Sequence, residues 1–350
     1  MPDTYYGPNA YNSNRIPSLP QPQGPAPALP PMTRRLSTLL PWGNTQEVTP
    51  WTFMDDCSPE FVRTRAEFRK THGNMDEYHF RFDHECYRHA RFSFRTLFWG
   101  YMAGIGRLLF LIAIPLTIAA FLTSLAWSPK SMSWQIITAD FFWSFASYFL
   151  GIPLACWLLG ATVIHFFSHW VDRPGKGPLW EMNRRTGMVT LFVYDKRGTY
   201  GRTGKPEEIS APFYEFDAYW VTGGDRQGPL HYLYFVHRYR NINVPIGDLI
   251  SGRRNAVDCY AFWDMWQNYM DTSRPLPDIP LWEEYRDQDP VTAEHDRRTG
   301  RPPRYWRDMD DKTWEQTLMD MNKKVHAIDT LYRPDLMRPR LELTDAVLQA

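Results

Sequence analysis

Cysteine is scarce in this chain. Its four residues, Cys57, Cys86, Cys156 and Cys259, stand far apart with no CxxC pair. That excludes a zinc ribbon, argues against a disulfide framework and leaves reduced thiols as the default. An excess of either charge is also missing, since Lys+Arg and Asp+Glu both number 39. Composition therefore points neither to nucleic acid nor to an acidic solvating tail. No GxSxG, HExxH, GxxxxGK[ST] or GxGxxG occurs, so no motif anchors a catalytic assignment. The first fifty residues hold no apolar core behind a basic start, the pattern of a secretory signal.

Against this even background two long apolar runs stand out. Residues 108–127, LLFLIAIPLTIAAFLTSLAW, carry no charge and match the roughly 20 residues a helix needs to cross a bilayer. Eleven of them are Leu, Ile or Phe, and at ~0.3–0.6 kcal/mol each they favour insertion by roughly 3–6 kcal/mol. A second run, FFWSFASYFLGIPLACWLLGATVIHFF, fills 141–167. Together they predict a transmembrane hairpin over 107–168. An arginine at the centre of a span costs ~3 kcal/mol, so Arg107 marks the interface. Arg95 and Arg107 before the hairpin, with Arg173 and Lys176 after it, are membrane-flanking, and the positive-inside rule then puts both termini in the cytoplasm. Trp127, Trp134 and Trp143 read as interfacial anchors. GYMAG at 100–104 fits a small-xxx-small packing pattern.

The remaining chain divides by texture. Residues 1–50 contain eleven prolines with PxxP spacings, which predicts a disordered tail of extended geometry. Residues 51–106 mix arginine, acid and aromatics and read as a cytoplasmic helical lead-in. Beyond the hairpin, WEMN, RRTG and MVTLFVY read as strand, turn and strand. FYEFDAYWV at 213–221 alternates in polarity and LHYLYFVHRY at 230–239 follows a GGDRQG turn, so an antiparallel sheet of about six short strands is expected. AFWDMWQNYMDTSRPLP then reads as a helix stopped by proline, with Phe262, Trp263, Trp266, Tyr269 and Met270 as an aromatic stripe and Asp264, Asn268 and Asp271 opposite. The fold class expected is thus an α+β membrane protein, a transmembrane hairpin followed by a small antiparallel β domain over 178–275. An amphipathic helix would close that domain on a pleckstrin-homology-like plan. Residues 276–350 form a C-terminal extension with a helix over about 312–332.

The hairpin, the NRRTG turn at 183–187 and the FWDMWQNYMD helix with its LP tail together resemble an uncharacterised bacterial family of two-span membrane proteins. Members carry a cytoplasmic pleckstrin-homology-like domain and occur around type VI secretion and polymorphic-toxin loci. The likeness covers roughly residues 105–310. It implies a bacterial inner-membrane setting and supplies no catalytic residues.

Three clusters carry candidate chemistry. His84, Cys86 and His89 are metal-ligand types, but steps of two and three scatter them around a helix, and interfacial histidines are the simpler reading. His165 and His169 lie one helical turn apart at a span end. Glu294, His295, Asp296, Asp308, Asp310 and Asp311 lie among arginines, a pattern open to a metal-dependent hydrolase yet typical of a solvated ion-pair surface.

The function expected first is a non-enzymatic, membrane-anchored binding protein without cofactor, metal or nucleic-acid partner. It would be an immunity or accessory factor that captures another protein, with Glu215, Asp217, His231, Arg304, Trp306 and Asp308 as partner-binding candidates on the edge of 213–239 and on 293–311. A membrane-inserting toxin effector and a hydrolase using the acidic cluster are the alternatives.

Overall fold

A computed structural model of the chain describes residues 5–16, 37–72, 79–128, 132–171, 174–225, 228–246 and 255–341. The chain forms two units, one of residues 1–89 and 178–350, the other of residues 90–177.

The second unit is the hairpin. Helix α3 (Phe94–Trp127) is capped by Ser93, whose hydroxyl accepts the Thr96 N–H. It starts well before residue 108, because the helical pattern continues through the polar flank into the apolar run. The return limb is α4 (Trp134–Phe141), a π turn (Phe142–Ala146) and α5 (Ser147–Phe166). Both limbs are long and apolar enough to cross a membrane, and their most apolar stretches are only 11% and 6% buried. A soluble core helix would hide these side chains, whereas here Leu108, Leu116, Ile118, Leu122, Ile152 and Leu158 all face outward. The limbs touch where side chains vanish. A Cβ on Gly106 would lie 2.6 Å from the Trp157 nitrogen, and one on Gly160 would lie 2.7 Å from that of Ala103. Gly100 and Gly104 of the GYMAG stretch meet nothing within 4 Å, so a different pair of small residues makes the crossing. Arg107 lies over the Trp157 ring at 5.8 Å and Arg95 over Trp170 at 5.0 Å, placing two flanking charges on aromatic faces. A short α6 (Ser168–Val171) ends the unit. His169 falls within it, Lys176 falls within a strand that follows, and Arg173 lies outside the described residues.

The first unit holds two sheets among its described residues. One has the order β1 (Ser37–Leu40), β7 (Phe216–Asp225), β8 (Gly228–His237), β9 (Asn243–Pro245). The other runs β2 (Arg81–Phe82), β3 (Cys86–Phe92), β4 (Pro174–Asn183), β5 (Met188–Val193), β6 (Glu207–Pro212). Helices α1 (Trp51–Asp56) and α2 (Pro59–His72) precede β2, and α7 (Thr199–Thr203) precedes β6. The expected turn at 184–187 is present, with Gly187 at φ +73° and its N–H on the Asn183 carbonyl at 2.8 Å.

Helix α8 (Ala256–Met270) starts at Asn255, whose side chain accepts the Val257 N–H, and packs against β7 and β8. Phe262, Trp263, Trp266, Tyr269 and Met270 are all fully buried, as the stripe predicts. The opposite face corrects the amphipathic reading, because Asp264, Gln267, Asn268 and Asp271 are buried too. Their covering is the N-terminal chain. Gln267 accepts the Gly43 N–H at 2.8 Å, Asn268 donates to the Gln46 carbonyl at 2.8 Å, and Asp264 accepts the Gln46 N–H at 3.0 Å.

Residues 5–16 and 37–50 therefore do not form the disordered tail expected for 1–50. Tyr11, Leu40 and Trp42 enter the main core, whose buried aromatics each contribute ~1.5–3 kcal/mol. The part of that expectation on residues 1–4 and 17–36 lies outside the described residues; in the rest, composition misled because apolar residues bury among strands far away in sequence. Likewise the lead-in at 51–106 is not helical throughout. HECYRHAR lies at and within β3, where pairing with a distant strand overrides local propensity. Nor does 178–275 close on itself, since segments before and after it share its core. After α8 come a 3₁₀ turn (Pro280–Tyr285), α9 (Pro290–Thr299) and α10 (Asp311–His326), the last ending earlier than the expected 332.

Candidate functional site

A cleft is built by the segment that follows α8. Pro275 and Pro277 lie in an irregular stretch, Pro280 opens the 3₁₀ turn, Asp289 caps α9 with Pro290 at its first position, and Gly300 in the left-handed region ends it. The loop 301–310 then folds back onto Glu283. This fully buried carboxylate accepts the Trp306 N–H at 2.5 Å, the Arg307 N–H at 3.2 Å and the Arg307 guanidinium at 3.0 Å. Trp306 donates its indole N–H to Asp278 at 2.8 Å. Arg301 grips Asp278 through two bonds of 3.0 and 2.8 Å, and Arg286 grips Asp296 through two of 2.7 Å. Such forked pairs fix guanidinium planes in direction.

The result is a cleft of about 530 Å³ lined by Glu284, Asp287, Arg297, Arg301, Arg304 and Arg307 among others. Its floor is locked and its rim is not. Arg286 is nearly buried, and although burial opposes its charge, Asp296 and Asp278 outweigh that and raise its pKa. Burial pushes the Asp296 carboxyl up, but hydrogen bonds and charge from Arg286 bring it below the usual aspartate range. On the rim, Arg297 pairs with Glu294 and Arg304 with Asp308, all four side chains more than half exposed. Pairs of that kind hold weakly and exchange partners readily.

The partner-binding candidates separate cleanly. Arg304 and Asp308 stand on the rim, whereas Trp306 is buried at 4% exposure and serves the floor. The other three are engaged within the fold: Glu215 with His237 at 2.8 Å, Asp217 with Arg238 at 2.8 Å, and His231 as acceptor of the Trp220 indole N–H at 3.0 Å. Burial raises the Asp217 pKa despite Arg238. Nor is 213–239 an edge along its length, since β7 pairs with β1 over Ala218–Val221 and with β8 on its other side. Residues 213–215 are a 3₁₀ turn, so the strand begins at Phe216. The covering strand comes from the stretch whose composition reads as tail.

The chemical candidates take structural places. His84 stacks near Tyr5 and Tyr285, Cys86 is buried, and His89 lies beside Trp180. Asp310 caps α10 by accepting the Thr313 N–H at 3.0 Å. Among the described residues no three His, Cys, Asp or Glu side chains converge as metal ligands.

Pattern reading passed over Arg184, in the NRRTG turn. Its side chain is wholly buried, donating to the carbonyls of Tyr269 at 2.5 Å, Asp271 at 2.9 Å and Arg274 at 2.7 Å, and pairing with Asp289 at 3.2 Å. It thus satisfies the open carbonyls at the end of α8. The two motifs that carry the family resemblance meet at this one guanidinium. Burial alone would raise the Asp289 pKa, but the Arg184 charge and hydrogen bonds from Thr292 and Tyr6 hold it below the usual range. Comparison with family models, curated proteins and solved structures finds no match to the chain.

Proposed function

We propose that the protein is a two-span membrane anchor whose first unit binds a protein partner, with the arginine-rimmed cleft at 283–307 as the docking place. The observation that carries this reading is the way the chain is shared. Residues before and after the hairpin fold into one unit, so a spanning hairpin must return the chain to the side it left. The flanking Arg95 and Arg107 support a cytoplasmic side for that unit, at the inner membrane of a bacterium. Exposed rim arginines beside a rigid floor suit an acidic surface of the partner, since the rim pairs cost little to open. An accessory or immunity role at a secretion and toxin locus belongs to the same reading and rests on the family resemblance alone.

The test is recovery of the tagged full chain from its own membranes in mild detergent, beside the double variant Arg297→Glu, Arg304→Glu. The reading predicts a stoichiometric companion that the variant loses while remaining membrane-bound and folded. Equal recovery with both chains removes the cleft from the proposal, and a chain released from membranes by alkaline carbonate removes the anchor.

A further inference from the structure

Residues 5–16 lie on the first unit the way a bound peptide lies on its receptor. Only Tyr11 and Ile16 are buried, while Pro8, Asn9, Asn14 and Arg15 are exposed. The Tyr11 ring inserts against Trp42 and Phe213, with centroids at 5.4 and 5.6 Å. Main-chain bonds fix the path between anchors. The Gly7 N–H donates to the Arg185 carbonyl at 2.7 Å, the Thr272 N–H donates to the Tyr11 carbonyl at 2.8 Å, and the Ser13 N–H donates to Asp271 at 3.1 Å. Two phenols are read by acids, Tyr6 donating to Asp289 at 2.7 Å and Tyr5 to Glu85 at 3.3 Å. The receptor side is shaped for close approach. A Cβ on Gly187 would lie 1.8 Å from the Asn9 carbonyl oxygen. Few deep anchors with backbone bonds between them is the pattern of peptide recognition.

We propose that this groove, walled by the 183–187 turn, residues 271–273 and Asp289, is a peptide-recognition site and that residues 5–16 are its tethered resident. The groove takes a peptide folded by two turns, closed here by the Ala10 N–H on the Gly7 carbonyl and the Arg15 N–H on the Asn12 carbonyl, both at 3.0 Å, and carrying tyrosines five positions apart and a serine two positions further on, as Tyr6, Tyr11 and Ser13 are spaced. Twenty residues, 17–36, separate the resident from β1, so it competes as an intramolecular ligand at high effective concentration. The site is distinct from the arginine-rimmed cleft, and Asp289, which walls the groove and caps α9, is where the two adjoin.

The experiment places a protease site within 17–36 of the full chain, cuts the detergent-solubilised protein and adds a fluorescent Tyr5–Ile16 peptide. The peptide should bind the cut protein saturably and the uncut protein far more weakly. A Tyr6→Phe peptide should bind about tenfold more weakly through loss of a bond to a charged acceptor. A Tyr11→Ala peptide should lose about a hundredfold. Any of three results overturns the proposal: a cut segment that never exchanges, a protein whose cooperative melt vanishes on release, or peptide variants that bind equally well.

Discussion

The two units solve burial in opposite senses. In the hairpin, large apolar residues such as Leu116, Ile118 and Leu158 face outward and glycine fills the contact. In the other unit, Arg184, Glu283 and Asp289 are wholly buried and face inward. The difference follows from the surroundings each surface meets. Hydrocarbon offers no penalty to exposed leucine, so helix contact there relies on close backbone approach. Water favours an apolar core, and buried charge persists in it only when fully paired and hydrogen-bonded. What the ionic groups add is linkage: Arg184 joins the β4–β5 turn, the end of α8 and the start of α9, while Asp289 also holds Tyr6.

That contrast can be broken most strongly at Arg184. Arg184→Met leaves the buried Asp289 charge without its counter-ion and strips several carbonyls of their donor, with an expected loss of ~3–5 kcal/mol, read as a lower thermal midpoint and faster proteolysis of the full chain in detergent. Adding Asp289→Leu should recover part of the loss, because removing both charges costs less than stranding one. In the hairpin the sensitive positions should be the glycines. Gly106→Val should destabilise by ~1–3 kcal/mol through overpacking against Trp157, whereas Gly104→Val, with open space around it, should leave protease resistance of the hairpin unchanged.

Acidity sharpens the comparison further. The Asp289 carboxyl titrates below its ordinary range in the folded chain, so its contribution is complete at neutral pH. It declines as pH falls below the ordinary aspartate value near ~3.9 and through the depressed folded value. Asp289→Asn should flatten that part of an acid-unfolding curve while lowering stability at neutral pH. The smallest effect belongs to the rim, where Arg304→Ala should leave the thermal midpoint unchanged, its partner Asp308 being exposed.

The same contrast explains how much the amino-acid sequence discloses. The hairpin is legible because uncharged runs near 20 residues have few other homes, and the α8 stripe is legible because its spacing is local. The rim is partly legible, since Arg304 and Asp308 lie in a visibly charged stretch. The groove and the cover on α8 are not, because Tyr11 reaches Thr272, and Trp42 reaches Trp263, across more than 200 residues of chain. Arg184 stands in the NRRTG turn, which reads as a turn alone. Its role depends on carbonyls that no pattern displays, although an arginine directly before a tight turn between two apolar strands is the signal that could have raised it. Asp264, Asn268 and Asp271 were misplaced for a related reason, since a polar helix face reads as solvent-facing until another segment is known to cap it.

If the hairpin spans a membrane, it returns the chain to one side, where both flanks build a single unit. Single cysteines placed at Met132, Asp55 and Arg197, all exposed, should be probed with a membrane-impermeant maleimide in intact and permeabilised cells. Met132→Cys should label in intact cells, and Asp55→Cys and Arg197→Cys only after permeabilisation. Asp55→Cys and Arg197→Cys reacting from opposite sides, or all three reacting together, would contradict it.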